Sequence, residues 1–423
     1  MKHNFRKSIL KNGVRVLTER LPESHAVSIG IWVATGSRDE PSDYSGISHF
    51  IEHMIFKGTE NRSALDIAKT FDRLGGFSNA FTSKENTCFH AKVLDSHLDI
   101  VLELLADIFL NSTFDPLEVE RERQVILQEI SMVEDSPDEL VHEIFNKHFW
   151  QGNPVERSIL GDPETVSRIT SEDLKNHMVH FSTPERVVIS AAGNVDHDKL
   201  CQKIESFFSN LASPKGSNRR EPPRGNFGCF FQEKDLEQTH IMVGLNGPSS
   251  VNPDRYTMLL LNVILGGSMS SRLFQEIREK RGLAYAVYSF VSTLQDAGFL
   301  GIYAGVAPEN TGQVLSLVRR ELERLASERV SDAELSAAKD NIKGGILLSA
   351  DNTDTRMTRI ARNEIDLGEY VSFDEVVKRI EAVDAAEIKE CAQKYLADGM
   401  AAAILGPLSE REREECTKVI TAK

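Results

Sequence analysis

An α+β fold of two homologous domains, each an antiparallel-rich sheet with helices packed on one face, is predicted by three observations. The chain has 423 residues, more than a single hydrophobic core supports, so it divides into domains. The stretch 211–226, LASPKGSNRREPPRGN, concentrates Pro, Gly, Ser and Arg without apolar periodicity and cuts the chain almost in half. The halves read as diverged copies: SEDLKNHMVHF (171–181) then VVISAAGNV (187–195) parallels AAEIKECAQKY (385–395) then AAAILGPL (401–408). A repeat of that length is a domain duplication rather than a solenoid. The expected division is therefore 1–210, a linker at 211–226, and 227–423, each half an α+β unit.

Taken in order, 8–20 (SILKNGVRVLTER) reads as a hairpin about Asn12-Gly13, a type I′ turn signal. A strand follows over 27–34, closed by Thr35-Gly36, and then a helix over 47–56 with Gly58 expected as its C-terminal cap. A second helix covers 64–74 and stops at Gly75-Gly76; strands run over 77–82 and 88–93; helices cover 95–110 and 116–134. The order of glycine stop, strand, strand and long helix recurs after Arg281-Gly282. Gly266-Gly267-Ser268 lacks the Lys of a phosphate-binding loop and reads as a helix end or a loop. The charged run SEREREE at 409–415 reads as a solvated terminal helix.

Hydrophobic residues make up 40% and charged residues 27%, the composition of an ordinary globular chain. A net charge of -15 argues against a nucleic-acid partner, which calls for a basic field, and suits a neutral or basic substrate. The basic N-terminus lacks an apolar leader, and no run of about 18 apolar residues exists to span a membrane. Five scattered cysteines with no CxxC pair point to neither a disulfide framework nor a thiolate metal site. A cytoplasmic location is the expectation.

The chemistry concentrates at His49-Phe50-Ile51-Glu52-His53. On a helix, residues four apart share a face, so His49 and His53 can hold one Zn²⁺ with Glu52 beside them. A catalytic zinc needs a third protein ligand and an open position. Glu129, in the charged helix QVILQEISMVE, is the candidate, and Glu122, seven residues earlier on the same face, can orient a ligand. Phe50, Ile51, Met54, Ile55 and Phe56 make this an apolar helix, where two histidines and a carboxylate are costly to bury without a metal. The corresponding stretch of the second half, LLLNVILGG, has no metal-type residues.

His49-x-x-Glu52-His53 is the inverted zinc motif of the inverzincins. With Glu129 placed 76 residues after His53, the chain resembles the pitrilysin or insulinase family of metallopeptidases over essentially its whole length. Supporting stretches are TGSRDEP (35–41), HFIEHMIFKGT (49–59), FSNAFTSKENT (77–87), ERERQVILQEI (120–130) and LFQEIREKRGLAYAVYS (273–289). Among the branches, it is most similar to the short subunits typified by mitochondrial processing peptidase β subunits and their bacterial relatives. One departure falls at QGNPVERSILG (151–161), where relatives commonly carry a His and a second Gly.

The resemblance implies one Zn²⁺ per chain on His49, His53 and Glu129, with Glu122 in support and Glu52 as the base for the water that attacks the scissile carbonyl. It implies that Ser78-Asn79-Ala80-Phe81-Thr82 is an edge strand on which an extended peptide lies. It also assigns Arg278 and Tyr285 to binding the substrate carbonyl and the developing oxyanion. Read without the resemblance, these two would pass for a surface cation and a core aromatic. In long family members that pair belongs to the opposite half of a clamshell chamber. This chain has one half's worth of domains, so the expectation is a homodimer in which Arg278 and Tyr285 act in trans. The expected activity is endopeptidase cleavage of unfolded peptides or presequence-like segments. Its rivals are a subunit active only with a different partner, a non-catalytic assembly subunit, and a zinc-dependent peptide-binding module.

Overall fold

The computed structural model describes residues 4–211 and 220–422, so most of the expected linker, at 212–219, lies outside the described residues. The first half runs β1 (Phe5–Ile9), β2 (Arg15–Arg20), β3 (Ala26–Val33), α1 (Ile47–Met54), α2 (Ala64–Leu74), β4 (Phe77–Thr82), β5 (Thr87–Leu94), α3 (Leu98–Asn111), α4 (Pro116–Asp135), α5 (Pro137–Phe149), α6 (Pro163–Arg168), α7 (Ser171–Phe181), β6 (Val187–Gly193) and α8 (His197–Phe208). The second runs β7 (Gly228–Gln232), β8 (Thr239–Asn246), α9 (Arg255–Leu265), β9 (Ala284–Thr293), β10 (Gly298–Val306), α10 (Thr311–Ser327), α11 (Asp332–Ser349), α12 (Thr353–Arg362), α13 (Phe373–Ala382), α14 (Ala385–Leu396), β11 (Ala401–Leu405) and α15 (Glu410–Thr421). No helix among the described residues is long and apolar enough to cross a membrane.

Local chemistry accounts for most boundaries. Strands β1 and β2 pair antiparallel from Phe5↔Glu19 to Ile9↔Arg15, but the expected type I′ turn on Asn12-Gly13 is corrected. The Gly13 amide donates to Leu10 O, so Lys11 and Asn12 are the central residues, and positive φ falls on Gly13 and not on Asn12. Helix α2 begins where the Ser63 hydroxyl accepts from the Asp66 amide and ends at Gly75 in the left-handed region. The expectation that α1 continues to a cap at Gly58 is corrected. The helix stops at Met54, and Gly58 instead forms a bridge to Ser63. Thr59, Asn61 and Arg62 all bond the buried Asp107 carboxylate at 2.6–2.8 Å, which draws the chain off the helix axis early.

Two compact units form, and neither is a contiguous half. Unit 1 comprises Met1–Ser131, Arg157–Arg220 and Ser349–Ser372; unit 2 comprises Met132–Glu156, Glu221–Leu348 and Phe373–Lys423. Compared with the expected halves 1–210 and 227–423, one helical segment from each half is counted with the other. In unit 1 the sheet order is β1-β2-β6-β3-β5-β4, with β2 and β6 parallel and all other pairs antiparallel. In unit 2 it is β7-β11-β8-β10-β9, with β7 and β11 parallel. Apart from the extra β1, the topologies are the same. Helix α9 follows β8 as α1 follows β3, and its sequence RYTMLLLNVIL carries neither His nor Glu.

The main helical layer of each unit covers one sheet face, as expected, over a large apolar core. The opposite face carries a single helical segment. In unit 1, Met357, Ile360 and Ala361 of α12 pack on Leu17, Trp32, Cys88 and Val188. In unit 2, Val141, Ile144, Phe145 and Phe149 of α5 pack on Met242, Phe299 and Ala403. A glycine in the equivalent central strand admits each helix. A Cβ on Gly30 would meet Met357 Sδ at 2.9 Å, and one on Gly244 would meet Phe145 Cζ at 2.2 Å.

Candidate metal centre

Helix α1 places His49 and His53 one turn apart, with ring centroids 4.6 Å from each other. Helix α4 brings Glu129 against both. A single carboxylate oxygen, Oε2, lies 3.6 Å from His49 Nε2 and 3.4 Å from His53 Nε2. Among the described residues these three form the one group of metal-type side chains whose donor atoms all fall within 4.8 Å of one another. Two donors at about 2.0–2.1 Å from one tetrahedral ion stand about 3.4 Å apart. The two nitrogen–oxygen distances fit zinc on spacing, and the three residues fit it on donor chemistry.

The surroundings set the state of each ligand. His53 Nδ1 lies 3.2 Å from Glu122 Oε2, and the other Glu122 oxygen is paired with Lys57. A proton on Nδ1 facing that carboxylate leaves the Nε2 lone pair toward Glu129. Burial, and secondly His53, push the His49 imidazole down to about 4, so it is neutral, the ligating form, at pH 7. Its Nδ1 is buried with no hydrogen-bond partner among the described residues.

Glu52 is half-buried and turned toward the end of β4. Burial raises its carboxyl pKa, while the hydroxyl and amide of Thr82 pull it back. Strand β4, which contains Ser78, Asn79, Ala80, Phe81 and Thr82, is the outer strand of its sheet and, among the described residues, pairs only with β5, from Phe77↔Lys92 to Thr82↔Thr87. The Ala80 amide donates to its neighbour's Asn79 Oδ1 at 2.9 Å. A backbone donor of this edge thus has a side chain, not a strand, as its partner.

Arg278 and Tyr285 lie together in unit 2. Arg278 sits on a π-helical turn, Phe274–Glu279, and its guanidinium stands 4.9 Å from the ring centroids of both Phe274 and Tyr285. Gly305 faces Ala286 and Val306 faces Ala284, so Tyr285 is the extra residue of a β-bulge. The bulge turns its side chain outward, 81% exposed. A core aromatic is thereby ruled out.

Three contributions escaped the sequence reading: Lys57 on Glu122, Thr82 on Glu52, and Glu40. The buried Glu40 accepts from the amides of Gly46 and Ser48 at the start of α1, at 2.8 and 2.9 Å. Burial pushes its carboxyl up to about 7 against the pull of those amides. The available signal was indirect: α1 begins at a glycine, which has no capping side chain of its own.

Two family profiles match the chain: one described as insulinase (peptidase family M16) over residues 15–163, the other as the peptidase M16 inactive domain over 168–342. The first range holds His49, Glu52, His53, Glu122 and Glu129; the second holds Arg278 and Tyr285. The chain is 39% identical over 397 residues to the uncharacterized zinc protease YmxG of Bacillus subtilis, covering 94% of this chain and 97% of that one. It is 40% identical over 408 residues to an uncharacterized zinc protease of Rickettsia felis, covering 96% and 98%. Among solved structures, a protease from Helicobacter pylori superimposes with a TM-score of 0.89 at 24% identity, over 96% of this chain and 100% of that one. A peptidase M16 inactive domain from Pseudomonas fluorescens gives 0.90 at 21%, over 96% and 99%. At those identities the solved structures speak for the fold alone.

Proposed function

The chain belongs to the insulinase, or M16, family of peptidases, and from that premise we propose that it is a zinc-dependent endopeptidase acting on unfolded or presequence-like peptides. The observation that carries the reading is the convergence of His49 Nε2 and His53 Nε2 on one oxygen, Glu129 Oε2, at 3.6 and 3.4 Å. These three residues hold one zinc per chain. Zinc held there supplies Lewis acidity, acidifying the attacking water and polarising the scissile carbonyl.

The chain's own residues do the rest. Glu122, neutralised by Lys57, keeps His53 in the ligating tautomer. Glu52 takes the proton of the attacking water and returns it to the leaving amine, and Thr82 keeps its carboxylate beside the substrate strand. A peptide adds to the free edge of β4 in extended form; its backbone supplies the affinity, so side-chain selectivity is low. Arg278, held between two rings, and Tyr285, turned out by its bulge, bind the carbonyl oxygen as it gains charge. They do so in the partner's site of a homodimer whose two chains enclose the substrate.

The purified chain is tested for zinc content and for cleavage of a quenched, unstructured peptide, beside Glu52→Gln. One zinc per chain, with cleavage abolished in the variant, is the expected result. Zinc without cleavage by the wild type moves the reading to a subunit that needs a different partner; absence of zinc overturns it.

A further inference from the structure

We infer that Glu40 is a positioning residue for zinc binding, a carboxylate outside the metal-bearing helix that fixes its first turn. The inference rests on the zinc reading above.

Helix α1 has eight residues, too few to hold its shape without outside contacts. The first amides of any helix lack intrahelical acceptors and, when buried, must find others. The usual remedy, a Ser, Thr, Asp or Asn at the N-cap, is barred here. The N-cap is Gly46, whose φ is +93, and a Cβ there would meet Leu160 O at 2.6 Å and Gly161 Cα at 2.9 Å. The cap therefore comes from six residues upstream. Glu40 Oε2 accepts from the Gly46 amide at 2.8 Å and Oε1 from the Ser48 amide at 2.9 Å, so both oxygens are engaged.

Glu40 is itself held. Its carbonyl accepts from Arg157 Nη2 at 2.7 Å. The preceding Asp39 accepts from the Gly36 amide at 3.0 Å and pairs with Arg220 at 2.7 Å. Arg38 pairs with Glu85 at 2.6 Å, both buried. The carboxylate thus stands on a fixed platform. One of the amides it grips is that of Ser48, the residue before His49. A twist of the first turn displaces His49 at once and, through so short a helix, Glu52 and His53 as well.

A carboxylate meets both amides with acceptors, whereas a carboxamide of the same shape turns one NH₂ donor against an N–H. Glu40→Gln is therefore expected to weaken zinc affinity by about 10- to 100-fold, the usual effect of losing a group that orients metal ligands. The full-length chain is titrated with zinc against a chromogenic chelator, and the metal-free unfolding midpoint is recorded beside it. Ser409→Ala, which removes an N-cap from α15, serves as a comparison that loses a cap elsewhere. The expected pattern is a large affinity loss in Glu40→Gln and none in Ser409→Ala, even where their unfolding midpoints shift equally. Glu40→Gln affinity within twofold of the wild type overturns the inference and leaves the zinc reading standing. A wild-type chain that takes up no zinc overturns both.

Discussion

His177 shows how one buried side chain sets behaviour in acid. It lies on α7, stacked on Phe181 at 4.4 Å between ring centroids, with Nε2 3.4 Å from the Ser48 hydroxyl. Burial pushes its pKa down to about 3, against about 6.5 in an unfolded chain. The unfolded state therefore binds the proton first. The contribution of neutral His177 to stability is complete above pH 6.5 and is lost as pH falls toward 3. Between pH 6.5 and 4 that loss is on the order of 3 kcal/mol, at about 1.4 kcal/mol per unit. Urea unfolding of His177→Gln over this range is expected to give a shallower pH slope than the wild type; equal slopes would dismiss the argument. Such residues were silent in the sequence. His49, Glu52 and His53 share five consecutive positions, so helical spacing alone grouped them. Glu129 needed the resemblance as well as the spacing. Glu40 and Lys57 act across chain reversals, at Gly46 and at the bridge of Gly58 with Ser63, and no local pattern reports where a reversal delivers a side chain.

At the level of elements, the free edge of β4 makes a prediction about peptides. A strand added to an edge uses its amides and carbonyls toward that edge only at every second residue. A peptide substrate methylated at one backbone nitrogen at a time is expected to show raised KM at alternate positions near the cleaved bond, with kcat less affected. A scan without that period of two would remove β4 as the docking edge. Strand β4 was legible because it lies between a glycine stop and a second run of alternating character. Its position at the sheet edge was not legible from pattern and came with the resemblance. The bulge at Tyr285 was hidden too. AYAVYSF reads as a continuous strand, and only pairing with Gly305 and Val306 reveals the extra residue. Helix α1 ended early because the hydrogen bonds to Asp107 outweighed a helical preference that still read well at Phe56.

For the whole molecule, the decisive prediction concerns which chain completes which site. Glu52→Gln and Arg278→Ala are each expected to be nearly inactive alone. If Arg278 acts in trans, a mixed dimer holds one intact site, built from Glu52 of one chain and Arg278 of its partner. Co-refolding the two variants in equal amounts should then return about a quarter of wild-type activity, since half the dimers are mixed and each has one working site of two. No recovery in verified mixed dimers would place the pair in cis or outside the reaction. The duplication itself was legible, because strand and helix signals recur at matching intervals. The transfer of α5 and α12 between halves was not, since an apolar helix face does not say which sheet it covers. That transfer governs the order in which a growing chain can fold. Every proposed zinc ligand of unit 1 has been synthesised by residue 129, yet its last segment, Ser349–Ser372, follows β6, the last strand of its sheet to be made, by about 150 residues. At ribosomal speed that is a delay on the order of ten seconds, during which Trp32, Leu17 and Val188 lack the cover that α12 later gives them. The nascent chain must therefore be sheltered from aggregation just when the unit that carries the candidate metal centre is otherwise complete.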